Sequence, residues 1–271
     1  RRSSDLVGYF KIDRQMQALL LALTLIVLLG VFVFSGVKLY DILHGYHVAN
    51  SQYSDLSDQF VNKPTVHQAE QGGSAPVITE VSPISVDFDT LLSVNQDVKG
   101  WLYSADTVID YPVMQSADNA YYLHRLYDRT NNANGSLFID FLCPGDFSGR
   151  VTIIYGHHMN NGSMFASLVN YKKQEYYEAH PVMYLNTPNG NYRLDIFSGF
   201  VTAADSSVYD VMELNGDDEA YSAYLLKMKA FSDFECDVTP MVDDNVVVLS
   251  TCTYEYNEAR YVVFAKLVPI Q

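Results

Sequence analysis

The chain has 271 residues, 48% of them hydrophobic, with 17 Lys and Arg against 32 Asp and Glu and a net charge of −15. That balance excludes a nucleic-acid binder, which needs a basic stripe to neutralise phosphates; 21 tyrosines and 14 phenylalanines are too many aromatics for a disordered chain. Three cysteines, Cys143, Cys236 and Cys252, cannot build a disulfide framework, and without a CxxC pair they offer no structural zinc site.

Residues 18–37 read ALLLALTLIVLLGVFVFSGV, a run without a charge. As a helix it spans roughly 30 Å, the hydrocarbon thickness of a bilayer. The apolar region of a cleaved signal peptide is shorter and leads into a small-residue cleavage site, whereas Lys38, Leu39 and Tyr40 follow here. The reading is an uncleaved, single-pass transmembrane anchor. In residues 1–17, Arg1, Arg2, Lys11 and Arg14 outnumber Asp5 and Asp13. The positive-inside rule therefore puts this segment in the cytoplasm and everything after residue 37 outside the cell. The first residue is Arg rather than Met, as in a fragment or a processed chain.

Residues 38–60 continue at helical spacing, with Leu39, Ile42, Leu43 and Tyr46 on one face. Residues 61–83 hold three prolines and a Gly-Gly pair and read as a linker. Residues 38–83 together form a juxtamembrane helix and tether, and a compact domain is expected from residue 84 to 271. On this reading the tether adds no core, so a chain starting near residue 84 should fold.

Strands are expected at 136–140, 151–155, 182–185, 192–200, 246–251 and 261–268, where short β-branched and aromatic runs lie between turn residues. Asn189-Gly190 marks a hairpin. The unbroken apolar runs VTIIY and VVVL read as strands buried on both faces. Helices are expected at 87–94, 164–171 and 217–232, the last with acids in its first turn and lysines later, as the helix dipole prefers. Strands outnumber helices without βαβ alternation. The expected class is mostly β, an antiparallel barrel with peripheral helices.

Cys252 ends the strand VVVLSTC in a polar cluster of Ser250, Thr251 and Thr253. A free Cys is often a small buried hydrophobe. Two other residues favour chemistry instead. Arg260 starts the following strand eight residues on, so pairing of the two strands would bring it near Cys252. His157 closes another buried strand, in YGHHM. A nucleophilic thiol needs a proton partner, and a nearby cation favours thiolate.

Three segments carry a family resemblance: IYGHHMNNGSMF at 154–165, LSTCTYE at 249–255 and ARYVVFAKL at 259–267. Supporting segments are GWLY at 100–103, IDYPV at 109–113, DNAYYLH at 118–124 and YYEAHP at 176–181. Together, over residues 86–268, the chain resembles the sortases, cysteine transpeptidases of Gram-positive cell surfaces, and most closely those of class B. Many sortases carry Thr-Leu where Val248-Leu249 stands here, a conservative change at a strand position.

The resemblance implies an eight-stranded sortase barrel with class B helical additions. It implies Cys252 as nucleophile, His157 as the catalytic histidine and Arg260 as the arginine, with His158 at a variable position and Ser250 and Thr251 as substrate contacts. The implied partners are secreted proteins bearing a C-terminal sorting signal, cleaved at a Thr–X bond, and an amine acceptor on a peptidoglycan precursor or a pilin. No cofactor or metal is implied; the acidic run 217–219 reads as a helix start. Asp110 and Glu255 are expected to serve structural hydrogen bonds, and Cys143 and Cys236 to be structural free thiols.

Two other readings compete. An L,D-transpeptidase-like enzyme also runs His, Cys, Arg, but wants Ser-His-Gly-Cys where Ser250-Thr251 precede Cys252 here. A non-enzymatic anchored ectodomain predicts no reactive thiol.

Overall fold

The computed structural model describes residues 14–63 and 80–271. The expected cytoplasmic segment therefore lies mostly, and the linker largely, outside the described residues. The chain divides into two compact units at Gly45 and Tyr46.

In the first unit the helix α1 (Arg14–Phe60) begins. From Leu19 to Leu43 its large apolar side chains are exposed, Phe32 the most at 76%. A helix that is apolar all round fits a lipid surrounding and not water. Among the described residues it is the one helix long and apolar enough to cross a membrane.

The second unit runs from Tyr46 to Gln271 and opens with the last turns of α1. Ala49, Tyr53, Leu56 and Phe60 are buried there. Their spacing places them on one helical face. Val61 and Asn62 form β1, which pairs with β2 (Ser85–Val86). The expected start of the compact domain near residue 84 is corrected by this packing. The apolar stripe of the helix's last turns is core, not tether, and a chain cut at residue 84 loses it.

After α2 (Phe88–Val94), capped by the Asp87 carboxylate, come β3 (Val98–Tyr103), β4 (Asp110–Met114), β5 (Leu137–Ile139) and β6 (Val151–Tyr155). Then follow α3 (Gln174–Ala179), β7 (Val182–Thr187), β8 (Gly190–Ala203), α4 (Asp218–Ala230), β9 (Val246–Cys252) and β10 (Ala259–Ile270). Strands β3 to β10 close a barrel in the order β10-β8-β7-β3-β4-β5-β6-β9. Pairing is antiparallel except for β4 with β5 and β6 with β9. The eight-stranded barrel expected from the sequence is present.

Differences are local. The expected helix at 164–171 is a 3-10 helix, Ala166–Lys172. The hairpin loop is Pro188-Asn189, with Thr187 paired to Gly190, so the turn sits one residue earlier than expected. Strands β3 and β4 go beyond the sequence expectation, since Lys99, Gly100 and Pro112 interrupt their pattern. Pro112 is tolerated because β4 pairs with β5 only from Val113 onward, leaving that stretch at an edge.

Candidate active site

Strand β9 lies between β6 and β10, and this arrangement builds the site. On one side, Arg260 of β10 pairs directly with Cys252. Directly opposed residues of an antiparallel pair present their side chains to the same face. On the other side, β6 runs parallel to β9 with Tyr155 opposite Ser250. The Gly156 amide extends that ladder by donating to the Ser250 carbonyl at 3.1 Å. Two residues past the Tyr155–Ser250 pair, His157 comes level with Cys252. Gly156 is needed at this step because a side chain there would collide with Leu137 and Phe165.

His157, Cys252 and Arg260 line one cleft of about 240 Å³, together with Ser250 and Thr251. The sequence-predicted residues thus meet in a single place. The Nε2 of His157 lies 2.7 Å from the Leu123 carbonyl. A carbonyl only accepts, so Nε2 carries the proton and Nδ1 is left for proton exchange. Burial pushes the His157 pKa down; the Leu123 carbonyl partly opposes this, and His124 pushes it further down. The two imidazoles stack, with centroids 5.8 Å apart.

Arg260 donates to the Ala259 carbonyl at 3.1 Å and to the exposed Glu258 carboxylate at 3.3 Å. Both are weak holds, and neither commits the guanidinium fork. Ser250 is buried, and its hydroxyl shares a 2.8 Å hydrogen bond with Tyr209. Thr251 Oγ1 is also buried and, among the described residues, has no hydrogen-bond partner. A buried hydroxyl without a partner costs about 1–3 kcal/mol.

Several contributors carry no sequence signal strong enough to single them out. His158 donates from Nδ1 to the Cys252 carbonyl at 2.9 Å and so pins the end of β9. Tyr209 enters from the β8–α4 connection. The Leu123 acceptor is a backbone atom and leaves no mark in residue type.

The remaining cysteines are outside this cleft and free. The Cys143 thiol is buried against the Val151 carbonyl, and burial raises its pKa. Cys236 rests on the Phe197 carbonyl at 3.2 Å. Asp110 accepts from Trp101 at 2.7 Å, Ser57 at 2.8 Å and Lys63 at 2.6 Å. Glu255 holds Lys172 and Thr253. Both carboxylates serve structure, as expected. No group of His, Cys, Asp and Glu among the described residues forms a metal cage.

Residues 105–268 match the sortase domain family model. The chain belongs to the sortase family. It is 34% identical over 249 residues to a sortase B of Listeria monocytogenes, covering 91% of this chain and 96% of that one. A sortase B of Staphylococcus aureus is 31% identical, over 84% of this chain and 92% of that protein. Among solved structures, a Staphylococcus aureus sortase B–substrate complex superposes with a TM-score of 0.64 at 33% identity, covering 68% of this chain and 85% of that one. A Bacillus anthracis protein described as similar to sortase B gives 0.66 at 32% identity, covering 82% and 94%. This sortase is accordingly a cysteine transpeptidase of the B class, and the L,D-transpeptidase and non-enzymatic readings are set aside.

Proposed function

We propose that this sortase cleaves a C-terminal sorting signal at a Thr–X bond through a thioester on Cys252 and passes the acyl group to an amine acceptor. The observation that carries the reading is the β6–β9–β10 register, which sets His157 and Arg260 on either side of Cys252 in one cleft.

Nδ1 of His157 takes the Cys252 thiol proton, and the resulting thiolate attacks the scissile carbonyl carbon, forming the C–S bond while the carbonyl electrons move to oxygen. Arg260 donates hydrogen bonds to that oxyanion. The oxyanion then collapses, the C–N bond breaks, and the leaving amine takes a proton from Nδ1 of His157. In the second half an acceptor amine attacks the thioester carbonyl. His157 takes its proton, and Cys252 leaves as thiolate. Ser250 and Thr251 contact the signal peptide beside the reacting bond. A related sortase B has been solved in complex with triglycine, which supports a glycine amine, as on a peptidoglycan precursor, over a pilin lysine.

The apolar part of α1 anchors the protein in the cell membrane, with the N-terminus cytoplasmic and the catalytic unit outside. The signal-bearing protein and a lipid-linked acceptor meet the enzyme at that outer face.

The test incubates the full chain in detergent with sorting-signal peptides varied around Thr–X, adding triglycine or a lysine peptide, and reads products by mass spectrometry. The expected products are a Cys252 acyl adduct and an amide to triglycine. Joining only to lysine moves the acceptor to a pilin; no adduct with any peptide removes the proposed reaction.

A further inference from the structure

The Leu123 carbonyl that selects the His157 tautomer lies against Gly135, which Tyr53 holds in turn, and neither residue has a part in the cleavage chemistry. The first is Gly135, in the segment that wraps residues 122–124. Its φ is +57°, a conformation that strains any residue with a Cβ. A Cβ at this position would stand 2.5 Å from the Leu123 oxygen and 2.7 Å from the Tyr122 oxygen. The backbone of residue 135 is therefore packed directly onto the acceptor of the His157 proton.

The second is Tyr53, in the last turns of α1. Its hydroxyl donates to the Gly135 carbonyl at 2.6 Å and lies 2.9 Å from Ser136 Oγ. Ser136 closes the wrap, its amide donating to the Tyr122 carbonyl at 3.0 Å and its hydroxyl to the Arg125 carbonyl at 2.9 Å. Burial raises the Tyr53 pKa far above neutrality, so the hydroxyl stays a donor at every working pH. The Tyr53 ring also packs edge-on against Tyr111, with centroids 5.1 Å apart. Tyr111 accepts from the Met164 amide at 3.2 Å, and Met164 lies in the loop after His157, bridged to His158. The same helical turns thus bear on both sides of the loop that carries the histidine.

We propose that Tyr53 and Gly135 are positioning residues for His157. They clamp the Leu123 carbonyl so that the imidazole keeps its proton on Nε2 and turns Nδ1 to the reacting atoms. The proposal rests on the reading of His157 as the proton-transfer group. It makes the last turns of α1 part of the working site as well as part of the core.

The test uses the full chain in detergent micelles, labelled with 15N-histidine, beside turnover of a sorting peptide joined in the assay above. The ring signals missing from His157→Ala are assigned to His157. Tyr53→Phe removes one hydroxyl and keeps the ring on Tyr111. It is expected to mix the Nδ1–H tautomer into the His157 signals. It should also lower kcat about tenfold with KM unchanged, a fraction of the roughly 10²-fold that a 1 Å misplacement costs. A hydroxyl that served stability alone would lower Tm and leave the ring signals in place. Gly135→Ala is expected to go further, to about 10²-fold. Wild-type ring signals and kcat in Tyr53→Phe overturn the proposal, whether or not Gly135→Ala folds. Retained turnover in His157→Ala would instead remove His157 from the chemistry. An inactive His157→Ala beside an unperturbed Tyr53→Phe removes the positioning role alone.

Discussion

The barrel flank beneath the last turns of α1 and the cleft at the ends of β6, β9 and β10 satisfy their polar groups differently. On the flank, Asp110 gathers Trp101, Ser57 and Lys63, and Tyr53 gathers Gly135 and Ser136. Around them Leu56 and Phe60 are buried. In the cleft, Arg260 leans on one exposed carboxylate and a neighbouring carbonyl. Paired polar groups over apolar packing hold a fold together. Donors left uncommitted in a cleft are available to a substrate and contribute little to stability. Substitution on the flank should therefore cost the fold, and substitution in the cleft should cost turnover.

The largest expected effect is on the flank. A chain beginning at residue 84 loses Tyr53, Leu56 and Phe60 together. Truncating one buried side chain of this size costs about 2–5 kcal/mol, and a whole domain holds only about 5–15 kcal/mol. That chain is expected to be unfolded or molten by near-UV circular dichroism, while one beginning at residue 46 folds. Cooperative melting of the shorter chain at the longer chain's Tm would show that the last turns of α1 add nothing to the core.

In the cleft, Cys252→Ala should abolish the acyl adduct with Tm unchanged; an adduct persisting in that variant removes Cys252 as nucleophile. Arg260→Lys is sharper, because it keeps the charge and removes the planar fork. If the fork donates directed bonds to the oxyanion, kcat/KM should fall roughly 10²–10³-fold, the scale for losing one oxyanion donor. Thermal melts should barely move, since among the described residues Arg260 bonds only the exposed Glu258 and the Ala259 carbonyl. Near-wild-type turnover in Arg260→Lys would reduce Arg260 to an electrostatic or structural role.

The same division governs what can be read from the sequence. Cys252 and Arg260 are legible because an eight-residue spacing between two strand-like runs implies a hairpin pair. His157 is legible because it ends a buried run. The barrel's buried strands announce themselves through β-branched runs, whereas β3 and β4, broken by Lys99, Gly100 and Pro112, do not. The flank is misread for a physical reason. The stripe Ala49, Tyr53, Leu56, Phe60 follows directly on an apolar helix and precedes a Pro- and Gly-containing segment, so its partner surface is invisible in local pattern. Leu123 is illegible altogether, because a backbone carbonyl acts irrespective of its side chain.

The smallest effect expected concerns His124, which stacks on His157 at the cleft edge. Burial is the main cause of the lowered His157 pKa, the Leu123 carbonyl works against it, and His124 adds to the lowering. Asn in place of His124 leaves the burial and removes the neighbouring imidazole. The His157 titration midpoint should therefore rise, yet stay below its ordinary value near 6.5. The linkage sign follows. A histidine whose pKa is depressed on folding is protonated first in the unfolded chain. Its contribution to stability is present above the unfolded pKa and is lost as pH falls toward the folded one. His124→Asn brings the two pKa values closer, so the window of acid sensitivity narrows. In wild type, urea midpoints should decline between pH 7 and pH 5, and the decline should be shallower in His124→Asn. The 15N titration of His157 reads the same shift directly. A midpoint that stays put or falls in the variant would show that His124 exerts no charge effect on His157, leaving the stacked pair as packing alone.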